Sequence, residues 1–198
     1  MINSISSVIY SQIASAITLK QAILESEKIS NQIQAIVRGC ELALRSGGKI
    51  IFAGNGGSFA DSQHLAAEFI SRFMFDREPL AAIVLGANNS VISAIGNDYG
   101  YEQVFTRELI GLAKPNDFFI PISTSGNSAN IISAAIVAKE LGLPTMALVG
   151  STGGKLSSIC ECLNVPSKET ARIQECHIMI GHIVCELVED LMFNNRAN

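Results

Sequence analysis

The apolar positions of the chain change period near residue 46. Before it, Ile5, Val8, Ile9, Ile13 and Ile17, then Ile29, Ile33, Ile36 and Val37, recur at steps of three and four, the spacing of one helix face. Two helices are therefore predicted over the first forty-odd residues, and Ser46-Gly47-Gly48 stops the second. Beyond that point short apolar runs alternate with helical stretches. KIIFAG (49–54), LAAIVLG (80–86), DFFIPIS (117–123), LPTMALVG (143–150) and ECLNVP (161–166) read as strands. Helical segments are predicted from 58 to about 72, around 90–96, over 101–113, from 128 to about 141, and briefly after Gly154. A long final helix is expected from about 170 to 193.

Near-continuous apolar strands separated by helices imply a five-stranded parallel sheet covered on both faces, the doubly wound α/β architecture. In that architecture ligands lie at the carboxyl ends of the strands, where the turns into the helices sit. No internal repeat or low-complexity tract interrupts the pattern. Residues 1–45 form a helical extension without a sheet of its own, suited to packing on another subunit. Residues 46–198 form the α/β domain. A length of 198 residues suffices for one domain with a sizeable core and is short for two.

Composition narrows the classes. Hydrophobic residues make up 48% of the chain and charged ones 16%, a surplus of apolar surface that points to a partner subunit. The net charge of −4 and the lack of any Lys/Arg run exclude a general nucleic-acid binder. The five cysteines are odd in number and show no CxxC spacing, as expected of buried, reduced thiols in a cytosolic protein. Ala14-Ser15-Ala16 imitates a signal-peptidase site, but no basic residue precedes it and Ser and Gln interrupt the apolar run. The apolar stretch 176–193 carries His, Glu and Asp, which argues against a membrane span. A soluble, cytoplasmic protein is expected.

Four strand ends carry unusual chemistry: GNGGS (54–58), NNSVISAIGND (88–98), STSGNS (123–128) and GSTGGK (150–155). STSGNS offers the hydroxyls of Ser123, Thr124 and Ser125 and, where Ser128 begins a helix, free backbone N–H groups, a good cradle for a phosphate monoester. The same residue types also serve as ordinary caps and turns. GSTGGK fails as a Walker A loop, because Leu156 follows Lys155 and Val149 stands where the first glycine belongs. GNGGS lacks the G-x-G-x-x-G spacing but lets a ligand approach the backbone closely. Four residues apart on the helix that it opens, His64 and Glu68 share a face, about 40° apart. That pair suits acid–base chemistry or the start of a metal site, or simply a solvated face. In RIQECHIMIGH (172–182), Gln174 and His182 are separated by about 12 Å of helical rise. Both grip one point only if Gln174 lies in a bent or fraying first turn. His177 points about 140° away from His182 and reads as structural.

Taken in order and spacing, GNGGSFADSQHLAAEF, SAIGNDYG, STSGNSANI and ARIQECHIMIGHIVCELVE resemble the phosphoheptose isomerases of the sugar isomerase (SIS) domain family. The resemblance spans nearly the whole chain. It implies conversion of sedoheptulose 7-phosphate to D-glycero-D-manno-heptose 7-phosphate, an early step towards heptose-containing lipopolysaccharide or surface glycans. It implies substrate contacts at Asn55, Gly56, Gly57, Glu68, Asn97, Asp98 and Gln174, and a phosphate on Ser123, Thr124, Ser125 and Ser128. Glu68 and His182 become the catalytic pair, and His64, Glu68, Gln174 and His182 the set that holds a zinc ion in some members. It further implies a homotetramer with active sites at subunit interfaces.

The chemistry asks for a base that removes a C1 proton and returns it to C2 through an enediol, which a carboxylate in a partly apolar site suits. A second group must move protons between the oxygens, a role fitting His182. Two other readings remain: a non-catalytic scaffold of the kind that associates with the replication initiator, and a sugar-phosphate-sensing module. The scaffold relatives lack the Glu and His equivalents, and no basic DNA-binding region accompanies this chain. GANNS (86–90) departs from the TTDTS-like stretch of the family, and Ala171 stands where several relatives carry an acidic or polar residue.

Overall fold

The computed structural model describes residues 4–193. Two helices lead the chain, α1 (Ile5–Leu24) and α2 (Glu27–Arg45). Each begins at a serine: Ser4 and Ser26 accept hydrogen bonds from the backbone N–H groups of Ser7 and Ile29, satisfying donors that a first turn leaves unpaired. The alternating part follows as β1 (Ile50–Gly54), α3 (Gly57–Ile70), β2 (Ala82–Val84), α4 (Asn89–Tyr99), α5 (Val104–Leu112), β3 (Phe118–Ser123), α6 (Ala129–Glu140), β4 (Met146–Val149), β5 (Glu161–Asn164) and α7 (Thr170–Phe193). The two helical segments predicted over 90–113 are α4 and α5, joined by a 3₁₀ turn at Tyr101–Gln103. The short piece after Gly154 is also a 3₁₀ turn, Gly154–Ser158.

All five strands pair in parallel, in the order β2-β1-β3-β4-β5. The predicted doubly wound sheet is therefore present, with its switch point between β1 and β3. Alternate strand residues feed two cores. Ile50, Phe52, Ile120 and Ile122 pack with α2, α3 and α7 on one face. Ile51, Ala53, Phe119 and Val149 pack with α4, α5 and α6 on the other. Within the first core α2 buries Ile36, Val37, Cys40 and Ala43, so it is part of the sheet's own packing. By contrast, α1 buries only Leu19 and Ile23.

Buried polar groups are mostly matched. At the amino end of the sheet Asp117 is 1% exposed and accepts from the Lys49 and Lys114 backbone N–H groups and from Lys49 Nζ, tying the starts of β1 and β3 together. None of the five cysteines forms a disulfide, and all but the half-buried Cys160 are buried. Among the described residues no helix is long and apolar enough to cross a membrane.

His177 on α7 is fully buried, with Nε2 3.2 Å from the Val149 carbonyl oxygen. Burial pushes its pKa down from 6.5 to about 4. Between those values the unfolded chain binds the proton that the folded chain refuses, so this contribution is complete above pH 6.5 and is lost as pH falls towards 4. Urea unfolding from pH 7 to 4.5 is expected to show declining stability. His177→Gln should remove up to about 1.4 kcal/mol per pH unit of that slope; an unchanged slope would refute the assignment.

Candidate active site

Two helices on the same face of the sheet bring the titratable residues together. α3 starts at the carboxyl end of β1 and presents His64 and Glu68 one turn apart. α7 presents His182. His64 Nε2 lies 3.1 Å from Glu68 Oε1 and 3.0 Å from His182 Nε2, so residues more than a hundred positions apart converge on one point. The Phe73 ring stacks on His182 with centroids 5.5 Å apart. Close helix packing permits this geometry. A Cβ on Gly181 would stand 2.5 Å from Leu65 Cδ2 and 2.6 Å from Cδ1. Glycine beside His182 thus lets α7 settle against α3.

The donor atoms of His64, Glu68 and His182 all lie within 4.8 Å of one another. Two imidazole nitrogens and a carboxylate oxygen are the kind of set a catalytic zinc uses while keeping an open position, with ligand nitrogens about 3.3 Å apart at Zn–N distances of about 2.0–2.1 Å. The three residues fit that metal. Gln174 lies elsewhere, its amide packed against Gly57 at the start of α3, two turns before His64. The helix α7 is continuous from Thr170.

The loops at the switch point lie side by side. Ser128 caps α6, and its Oγ lies 3.2 Å from Ser123 Oγ at the end of β3. Ser125 Oγ accepts from the Asn127 backbone N–H, and the Thr124 carbonyl accepts from Gly150, which joins this loop to the one after β4. Hydroxyls and a helix N-terminus occupy one site, as the sequence suggests. Gly56 adopts φ +54° and turns the chain from β1 into α3. Asn97 and Asp98 are exposed and bonded to each other, Asn97 Nδ2 donating to Asp98 Oδ1 at 2.8 Å, in an open polar depression that α4 lines with Asn89 and Ser93.

Three contributors escape the sequence reading. Asn130, 3% exposed, exchanges two amide hydrogen bonds with Asn55 at 2.8 and 2.9 Å, and Tyr101 Oη donates to Asn55 Oδ1. The Asn55 side chain is thus held by the first turn of α6, and the amide pair joins the turn after β1 to the helix that follows β3. Asp61, one turn before His64, has a buried Oδ2 without a hydrogen-bond partner; burial raises its pKa, opposed by His64. Its spacing at 57, 61, 64 and 68 was the available signal. Asn130 carried none.

Comparison with known proteins decides the family. A family model described as the SIS domain matches residues 13–150. The chain is 50% identical over 189 residues to a phosphoheptose isomerase of Aneurinibacillus thermoaerophilus, covering 95% of this chain and 96% of that one. The chain belongs to the phosphoheptose isomerases of the SIS-domain family. Solved phosphoheptose isomerases from Francisella tularensis (33% identity, TM-score 0.87, 93% of this chain and 97% of that one) and Neisseria gonorrhoeae (38%, 0.83, 93% and 99%) superimpose along almost all of its length. As a phosphoheptose isomerase it is an aldose–ketose isomerase acting on a sugar phosphate. The match to the SIS model ends before α7, whereas the full-length relatives extend across it.

In this phosphoheptose isomerase Gly181→Ala forces the α3–α7 contact apart. A loss of about 1–3 kcal/mol is expected from overpacking, measured by urea denaturation. A variant as stable as the parent would show that the contact relaxes freely.

Proposed function

We propose that the chain interconverts sedoheptulose 7-phosphate and D-glycero-D-manno-heptose 7-phosphate with Glu68 and His182 as its acid–base pair. The observation that carries this reading is the convergence of Glu68, His64 and His182 from two separate helices. Glu68 takes the C1 proton of the ketose as the C2 carbonyl gains one, giving the enediol. The same carboxyl then delivers its proton to C2 while the C1 hydroxyl loses its own, leaving an aldehyde. His182 moves protons between the two oxygens, as a general acid–base group within reach of both. Ser123, Thr124, Ser125 and Ser128 hold the phosphate, helped by the partial positive charge of the α6 N-terminus. Asn55, Gly56 and Gly57 line the sugar chain, with Asn97, Asp98 and Gln174 further along it. A zinc ion held by His64, Glu68 and His182 would polarise the substrate oxygens.

The assembly we propose is a homo-oligomer, a tetramer by family, with active sites at subunit interfaces and α1 of the 1–45 extension as its packing element, α2 being already packed on the sheet of the 46–198 domain. On α1, Ile5, Ile9, Ile13 and Ile17 are 81%, 55%, 57% and 63% exposed, a row that water alone does not favour. A groove of about 480 Å³ beside it is lined by Lys20, Ile178, Met179 and His182, so whatever covers α1 also borders the catalytic histidine. A phosphorylated sugar substrate, charged and unable to cross a lipid bilayer unaided, supports a cytoplasmic location.

Glu68→Gln preserves size and removes the base. Turnover of sedoheptulose 7-phosphate, followed by NMR of the C1 and C2 protons, is expected to fall about 10²-fold or more with folding intact. Full activity in that variant would take Glu68 out of the mechanism. Plasma emission analysis of protein purified without chelator should find about one zinc per subunit, reduced in His64→Ala. A metal-free preparation of full activity would remove the zinc role.

A further inference from the structure

Beneath the acid–base cluster lies a buried ion pair that the chemistry above does not use. Arg77 follows α3 on the segment leading to β2, and Glu189 lies on α7. Their side chains are 2% and 0% exposed, with Arg77 Nε 2.7 Å from Glu189 Oε1. Burial of two charges is costly unless each is fully hydrogen-bonded, and here both are richly bonded. Glu189 also accepts from the backbone N–H groups of Phe73 and Met74 at 2.9 and 2.7 Å. Arg77 also donates to the carbonyl oxygens of Glu68 and Phe69, at 2.9 and 2.8 Å, and of Glu78. The guanidinium carbon sits 5.7 Å from the Phe193 ring centroid, and Phe75 meets Phe193 edge-on, which keeps water off the pair.

Two of these bonds end on residues of the site itself, Glu68 and Phe73. The Glu68 and Phe69 carbonyls belong to the last turn of α3, where no intrahelical donor remains and a cation is favoured. One of the two is Glu68's own. Glu189 is seven residues beyond His182, so it lies on the same face of α7, two turns on. The N–H groups that it holds include that of Phe73, whose ring stacks on His182. One ion pair therefore fastens the helix of the base, the helix of the acid, and the ring that packs against the acid.

We propose that Arg77 and Glu189 are positioning residues that set the separation and orientation of Glu68 and His182, with Phe73 as the element through which they fix the imidazole. The proposal rests on the catalytic reading of Glu68 and His182. Stability alone does not call for this arrangement, because a buried ion pair is on average no better than apolar side chains of the same volume. What the pair supplies is direction: five backbone groups and one ring are pinned to a single point.

The test uses Arg77→Lys, which keeps the charge but cannot reach the α3 carbonyls and Glu189 together, and Phe73→Leu, which keeps an apolar side chain and loses the ring. Both are expected to lower kcat about 10–100-fold per folded subunit with KM for sedoheptulose 7-phosphate within about threefold of the parent. Combined, their effects should fall well short of multiplying, since both act through the same imidazole. An independent readout is the His182 ring-proton resonance, identified by its absence in His182→Asn, which should move in each variant. If Arg77→Lys does not fold, Phe73→Leu carries the test. Parental kcat together with an unmoved resonance in a folded variant would overturn the proposal. If the parent protein itself fails to turn over the substrate, the catalytic reading fails. The resonance then decides the positioning claim alone: moved, it stands, and unmoved, it falls.

Discussion

Because β1 and β3 are neighbours in a parallel sheet and the chain leaves them towards opposite edges, their following helices pass to opposite faces. α3 descends one face with α2 and α7, and α6 descends the other with α4 and α5. No crossing segment fills the space between the two departures, and a crevice opens at the carboxyl ends of these strands. Into it project the glycine-rich turn after β1 and the hydroxyl-rich turn after β3. Two helix N-termini border it, which is why an anionic sugar derivative is the natural occupant. The Asn55–Asn130 amide pair spans the crevice and keeps the two turns in register.

The acid–base cluster depends on a second contact, between α3 and α7 on one face only. Leu65 and Phe69 from α3 and Ile180 and Val184 from α7 are all buried there, each worth about 1.5–3 kcal/mol. Apolar packing brings the helices together but does not choose their rotation to within an ångström. That choice falls to directional groups: the absence of a side chain at Gly181, and the hydrogen bonds of the Arg77–Glu189 pair. Polar His64, Glu68 and His182 lie on the outer flank of the same contact, and His182 shares a surface groove with Lys20 of α1. Core and candidate site therefore share one helix pair.

Periodicity made the elements legible. Strands of near-continuous Ile, Val, Leu and Phe, separated by helical spacings and glycine-bounded turns, specify a parallel sheet covered on both faces. The ends of α7 match their expected positions, and the strands are shorter than their apolar runs because hydrophobicity continues past the last ladder bond, as at Leu80 and Leu85. His64 and Glu68 were legible because four residues on a helix fix their relation locally. STSGNS was legible because caps and hydroxyls are local chemistry as well.

Other relations were not local. His182 reaches His64 across 118 residues, and the separation along one helix that makes Gln174 and His182 awkward co-ligands says nothing of the neighbouring helix. Asn130 reads as an ordinary first-turn residue until β1 and β3 are known to be adjacent. Nothing local marks Arg77 and Glu189 as partners across 112 residues. By itself the sequence determined the element types, the layered architecture and the local chemistry of each strand end, since these follow from backbone period and nearest neighbours. Strand order, the meeting of α3 with α7 and the buried charge pair were decided by tertiary structure alone, because they arise from how two faces of one sheet share out the apolar surface of the whole chain.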